Sequence, residues 1–199
     1  MFGHSLRNAA LSGSIGDAVL VAPEAQLETA MRMSADMRDI VRVSAVVAGG
    51  DSRQESTRRG LAAVLADTSV VVCHDAARPF ASPALYERVV AAVDRDVRGA
   101  IPAIRSPDTL KDVRDGTVVR TFPRDELVLV QTPQAFDAET LRTAHEDAVG
   151  EGRDVTDDAM LLEAAGLPVA VVAGEEMNFK ITTEADMRRA EWLVASGEL

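Results

Sequence analysis

Val70-Val71-Val72-Cys73-His74-Asp75-Ala76-Ala77-Arg78-Pro79 is the stretch that decides the fold. An uninterrupted apolar run is followed at once by an imidazole, a carboxylate and a guanidinium. Short continuous apolar runs suit strands buried on both faces, because such strands have no solvent side to alternate toward. The polar residues then fall at the carboxyl end of a strand, where open α/β sheets bind their ligands. Ser82-Pro83 follows as an N-cap with proline at the first helical position, and Leu85, Val89, Val90 and Val93 recur at helical spacing. The segment reads as strand, polar turn, helix.

Similar apolar runs lie at Ala18 to Ala22, Val41 to Ala48, Ala100 to Ile104 and Val169 to Ala173, with helical patterns between them. This alternation predicts an α/β fold: a three-layer, Rossmann-like parallel sheet between helices. The pattern breaks once, from Asp108 to Thr121. There Thr109, Leu110 and Val113 are separated from Val118 and Val119 by Asp115-Gly116, a strong hairpin signal. The spacing predicts a protruding β-arm over about 105–128, whose exposed edges a second subunit could cover. No linker-like stretch divides residues 1–199, so one domain is expected.

Of 199 residues, 47% are hydrophobic and 27% charged, an ordinary globular composition. The net charge of -11 argues against nucleic acid and anionic membranes as partners. It excludes little among small phosphates, which need only a few convergent donors. No apolar run is long enough to span a bilayer, and Cys73 is the single cysteine, so a reducing compartment, the cytoplasm, is expected. Of 21 basic residues only Lys111 and Lys180 are lysines. A lysine retained against that bias is a candidate for chemical need, with chance retention as the plain alternative.

Gly49-Gly50-Asp51-Ser52-Arg53 turns from a strand into a helix, and Ser56 lies on that helix's first turns. Such a turn lets backbone N–H groups approach a nucleotide, although any βα unit can turn on glycine. Asp75 could hold Mg²⁺ against a triphosphate while Arg78 grips a second anion; an Asp/Arg surface pair is the bland reading. His74 reads as a packing or hydrogen-bonding residue. Thr132-Pro133-Gln134 and Thr156-Asp157-Asp158 look like helix-entry segments, with Thr156 as N-cap. Asn178-Phe179-Lys180-Ile181-Thr182 precedes a last helix capped by Thr183, and Lys180 reads as a fixed positive charge pointing into a cleft.

Gly-Gly-Asp with a following Ser, His-Asp-Ala-Ala-Arg-Pro, Asp-Thr-x-Lys, Thr-Pro-Gln-x-Phe, Thr-Asp-Asp-Ala and Phe-Lys-Ile-Thr occur in that order from Ala48 onward. In order and spacing they resemble the 2-C-methyl-D-erythritol 4-phosphate cytidylyltransferase family. The resemblance implies transfer of CMP from CTP to methylerythritol phosphate with Mg²⁺ bound and pyrophosphate released. It implies that Gly50, Asp51, Ser56 and Ala76 contact the cytidine nucleotide, that Asp75 coordinates Mg²⁺, and that Lys180 sits beside the phosphates. Arg78, Thr132 and Thr156 would line the methylerythritol phosphate pocket. The arm would reach across a homodimer, so that Thr109 and Arg124 serve the neighbouring subunit's site. Lys180, Arg124 and Asp75 are thus the expected catalytic groups. A related enzyme acting on ribitol 5-phosphate, or a non-catalytic nucleotide- or partner-binding module, are the other readings.

The family begins with a strand and a loop of the form Ala-Ala-Gly-x-Gly-x-Arg, followed by Pro-Lys, and neither occurs in this sequence. Gly13-Ser14-Ile15-Gly16 connects a helix to a strand and so points to the wrong end of the sheet. The expectation is that one βα unit, roughly 30 residues, is absent before Met1, and that its strand would be central. A late start codon or a fragment explains this best; a homologue that has lost activity is the third explanation.

Overall fold

A computed structural model describes residues 2–37 and 39–197. Its elements are α1 (Phe2–Leu11), β1 (Asp17–Ala22), α2 (Leu27–Ala35), β2 (Arg42–Ala48), α3 (Arg53–Ala62), β3 (Val70–Cys73), α4 (Pro83–Ala91), β4 (Gly99–Arg105), β5 (Lys111–Arg114), β6 (Thr117–Thr121), β7 (Val128–Val130), β8 (Gln134–Asp137), α5 (Ala138–Gly150), α6 (Ala159–Ala164), β9 (Val169–Ala173) and α7 (Glu184–Ser196). The five apolar runs are all strands, and Ser82 caps α4 by accepting from the Leu85 amide.

Alternation along the strands builds the expected three layers. Ala100, Ala135, Val70, Val72, Ala170 and Val172 face α4. Ile101, Phe136, Val71, Cys73 and Val169 face the opposite way, onto α5 and α6 through Leu141, Ala144, Leu161 and Leu162. Helices cover both faces, so these strands are apolar throughout.

One feature differs from the expectation. The sheet is mixed rather than parallel, because β8 runs antiparallel between β3 and β4, and β7 runs antiparallel along β4. These are short strands of three and four residues separated by Gln131-Thr132-Pro133, too brief to show a period of their own. β9 lies parallel on the other edge of β4. The sheet is also in two pieces, in line with the expectation that a central strand is absent. β1 and β2 form a parallel pair, β3-β8-β4-β7 with β9 form the rest, and among the described residues no strand bridges β1 and β3. Each keeps an unpaired edge; β3 is half-buried throughout and β1 everywhere except exposed Val21, whereas β4 is buried over its first five residues.

Helices hold the pieces together. α3 packs on β1 with Gly60 against Val21, and its Leu61 enters the cluster that covers Val71 and Cys73. On the other face Ala9 of α1 joins Leu85 and Tyr86, over Val72.

The arm is a hairpin as read. Asp115 and Gly116 adopt φ of 48° and 74°, the left-handed pair that a two-residue hairpin turn requires. β5 and β6 pair only with each other, and Val113, Val118 and Val119 are more than half exposed at 54%, 53% and 55%.

A sheet in two pieces predicts two levels of local stability. In hydrogen exchange followed by mass spectrometry, peptides covering β1 and β2 should lose protection well before those covering β4 and β8. Equal protection of β1 and β4 would contradict the division.

Candidate active site

At the end of β2 the Gly49 amide donates to Ala22 O at 2.9 Å, tying the turn to β1. A Cβ on Gly50 would collide with the Glu55 side chain as it stands, so Glu55 would have to move. The Ser56 hydroxyl accepts from the Gly50 amide at 3.0 Å, and Glu55 Oε2 accepts from the Asp51 amide at 3.0 Å. Ser52 caps α3 by accepting from the Glu55 amide at 3.1 Å. Gly50, Asp51 and Ser56 therefore form one turn at a helix N-terminus, with Asp51 and Ser52 exposed.

The polar turn after β3 is braced from inside. Nε2 of His74 lies 3.0 Å from Arg78 O, so it carries the hydrogen, which leaves Nδ1 to accept from the Thr132 hydroxyl at 3.1 Å. The Thr132 oxygen in turn accepts from the Asp75 amide at 3.0 Å. Burial drives the His74 imidazole down to about 4, outweighing the hydrogen bond to Arg78 and the nearby Asp75, so it is neutral at pH 7. This is the hydrogen-bonding role read from the sequence.

A backbone bond from Ile181 N–H to Ala77 O, 2.8 Å, draws the segment before α7 over this turn. Buried Asn178 donates to Thr132 O at 2.8 Å and receives Arg78 on its own carbonyl at 2.8 Å. Lys180 Nζ thereby reaches Asp75 Oδ2 at 2.8 Å, across a sequence separation of 105 residues. Lys180 is thus an ion-pair partner of Asp75, with nearly half of its side chain exposed.

Three residues that sequence reasoning passed over complete the cluster. Arg53, the first residue of α3, places Nη2 at 2.8 Å from Asp158 Oδ2 and Nε at 3.8 Å from Asp75 Oδ1. Asp158 is fully buried and lies 3.2 Å from Nε2 of His145, itself 1% exposed. Burial alone would raise the Asp75 carboxyl, but the Lys180 hydrogen bond and charge, with Arg53, hold it below the usual range. Asp158 follows the same balance, burial being outweighed by His145 and Arg53. Both carboxylates are charged at neutral pH. The signal available in sequence was slight: Arg53 sits in the glycine turn and Asp158 in Thr-Asp-Asp-Ala.

Thr132 is buried, with its hydroxyl engaged by His74 and Asp75. Its Thr-Pro-Gln segment leads into β8, not directly into a helix as read. Thr156 is exposed and is not the α6 N-cap. Asp158 occupies that position, and the Asp157 carboxylate, a stronger acceptor, takes the Ala159 amide at 3.0 Å. Ala76 is exposed beside Asp75, and Arg78 is half-buried. Thr109 precedes β5, Arg124 sits on a single 3-10 turn beyond β6, and both are exposed. The described residues contain no group of three metal-ligating side chains. One carboxylate suits Mg²⁺, which keeps several waters and shares its shell with phosphates. No helix among the described residues is long and apolar enough to cross a membrane.

Residues 1–196 match the family model described as IspD, 2-C-methyl-D-erythritol 4-phosphate cytidylyltransferase. A 2-C-methyl-D-erythritol 4-phosphate cytidylyltransferase of Geotalea uraniireducens (strain Rf4) is 38% identical over 198 residues, which cover 98% of this chain and 84% of that protein. The bifunctional enzyme IspD/IspF of Nitratidesulfovibrio vulgaris (strain DP4) is 52% identical over 142 residues, 71% of this chain. The chain spans about a third of that bifunctional relative, 36% of its length. The crystal structure of 4-diphosphocytidyl-2C-methyl-D-erythritol synthase from Anaerococcus prevotii DSM 20548 superposes with a TM-score of 0.86 at 31% identity, covering 98% of this chain and 88% of that one. The Rossmann-like fold read from the sequence is the fold of these neighbours.

His74 gives the site a pH signature. Its folded pKa lies below the ordinary 6.5, so the unfolded chain binds a proton that the folded chain refuses as pH falls from 6.5 toward about 4. Stability is therefore lost in that window, by on the order of 3 kcal/mol at most. The urea midpoint of His74→Asn should fall less between pH 7 and 4.5 than that of the wild type. An equal fall would show that His74 is not the group responsible.

Proposed function

The chain belongs to the IspD family of 2-C-methyl-D-erythritol 4-phosphate cytidylyltransferases, and from that membership we propose that it transfers CMP from CTP to 2-C-methyl-D-erythritol 4-phosphate. A phosphate oxygen of the acceptor attacks the α-phosphorus of CTP, the bond to the β-phosphate oxygen breaks, and pyrophosphate leaves. Little covalent chemistry falls to the protein, so positioning and neutralisation of charge carry the rate. The observation that carries this reading is the Lys180–Asp75 contact of 2.8 Å at the carboxyl end of β3. It sets a cation and a carboxylate beside the glycine turn, where a nucleotide's phosphates would lie.

Each residue has a distinct task on this reading. The turn at Gly50 and Asp51 offers its backbone to the cytosine and ribose, with Ser56 holding its shape. Ala76, exposed and small, leaves room at the mouth of the site. Lys180, 46% exposed on its side chain, can leave Asp75 and follow the phosphates as negative charge builds. Asp75 would hold Mg²⁺, which when bound neutralises phosphate charge. Arg78 is anchored on the carbonyls of Asn178 and Val130, so its guanidinium has a fixed direction for the acceptor phosphate. Thr132 contributes by fixing the Asp75 amide, and Thr156 remains available at the surface for the acceptor. The exposed valines of β5 and β6 give the arm a face for a second subunit, which would carry Thr109 and Arg124 to the partner's site. An enzyme that consumes CTP would work in the cytoplasm, where CTP is made.

Pyrophosphate release with CTP, Mg²⁺ and methylerythritol phosphate should exceed that with ribitol 5-phosphate, and Asp75→Asn or Lys180→Ala should lower kcat/KM by about 10²–10³-fold. Faster turnover of ribitol 5-phosphate would reassign the acceptor, and no release with either would leave only the binding-module reading. Arg124→Ala should impair turnover while leaving CTP affinity little changed. A large loss of CTP binding would contradict its place near the acceptor.

A further inference from the structure

Arg53 stands at the first position of α3, where the helix dipole disfavours a positive charge. Two carboxylates lie within its reach. It contacts Asp158 at 2.8 Å and stops 3.8 Å short of Asp75. The preference has a physical cause: Asp158 is fully buried, and a buried carboxylate deprived of its partner costs far more than a partly solvated one. His145 lies beside the other oxygen of Asp158. Its Nε2 lies 3.2 Å from Asp158 Oδ1, which leaves Oδ2 for Arg53. Nη1 of Arg53 is buried without a hydrogen-bond partner, so the guanidinium still has a donor to give.

That unused donor makes the arrangement consequential. A guanidinium released from Asp158 would close the remaining distance to Asp75 and form a two-pronged pair with it. Lys180 already occupies Asp75 Oδ2, so both oxygens would then be neutralised. Lysine is a single mobile charge that a cation and a phosphate can displace, whereas a forked arginine pair is much harder to open. We infer that Asp158, backed by His145, is a positioning residue that holds Arg53 off Asp75 and so keeps that carboxylate available to a divalent cation. The inference rests on the reading of Asp75 as the cation's ligand.

The test measures Mn²⁺ retention in the presence of CTP by electron paramagnetic resonance, with wild type, Asp75→Asn, Asp158→Asn, Arg53→Gln and the Arg53→Gln/Asp158→Asn double variant. Asp158→Asn should weaken Mn²⁺ binding about tenfold, the scale of one charge-assisted pair. Arg53→Gln should bind Mn²⁺ at least as tightly as the wild type, and the double variant should return to the Arg53→Gln level. Rescue by the second substitution separates positioning from a loss of packing, which no change at Arg53 would repair. A double variant as weak as Asp158→Asn, or weaker binding by Arg53→Gln alone, overturns the inference. If Asp158→Asn unfolds, the double variant, which leaves no buried charge unpaired, decides it: Mn²⁺ binding weaker than that of the wild type overturns the inference. Mn²⁺ binding unchanged in Asp75→Asn, or absent in the wild type, would instead overturn the reading of Asp75, and the inference with it.

Discussion

The Thr132 hydroxyl accepts from the Asp75 amide and donates to His74 Nδ1, and the polar turn after β3 takes its shape from that bridge. A protonated His74 could not accept from Thr132, so the bridge needs the neutral ring that burial enforces. His74 can be neutral because its other nitrogen has the Arg78 carbonyl to donate to. Thr132 is placed by the kink between β7 and β8, two strands that share one edge of β4. Asn178 then fastens Thr132 to the segment that carries Lys180. Residues near positions 75, 132 and 180 are thus locked together by neutral hydrogen bonds, and the charged pair forms on top of a scaffold already fixed.

The charges obey a different logic. Along the cluster they alternate, from Lys180 to Asp75 to Arg53 to Asp158. Each carboxylate lies near cations and each interior cation near a carboxylate, so the cluster survives partial burial that would neutralise an isolated acid. The chain's net charge of -11 is therefore a poor guide to this cluster, where Arg53, Arg78 and Lys180 gather around Asp75 and Asp158. Overall acidity describes the solvated surface, and anion binding depends on local donors.

Much of this was legible in the chain. The five apolar runs gave the strands because strands buried on both faces leave no other pattern, and Asp115-Gly116 gave the hairpin because few residue pairs tolerate two positive φ values. Gly50 and Asp75 were found because polar residues at strand ends have a known geometric meaning. What escaped was tertiary. Nothing local marks Gln134 to Asp137 as an antiparallel wedge, since four residues carry no measurable period. Thr156 has the chemistry of an N-cap but lost the position to neighbouring aspartates. His145 looks like one more polar residue of an amphipathic helix until Asp158 is seen beside it. A partner 13 residues away, reached through a turn, leaves no periodic trace.

The divided sheet makes α3 the structural hinge of the site. Gly50 belongs to the β1–β2 piece and Asp75 to the other, so no ladder of backbone bonds sets the distance between them. Two adjacent residues at the start of α3 do so instead. The buried Gln54 side chain donates to Arg153 O at 3.1 Å and accepts from the Val155 amide at 3.0 Å, which fastens the helix to the segment before α6. Arg53 binds Asp158 one turn further along that segment. The glycine turn and Asp75 therefore keep their relation through side chains that both pieces share. Because side-chain pairs yield more readily than a strand ladder, the turn at Gly50 and the carboxylate at Asp75 form the joint whose geometry is most easily changed.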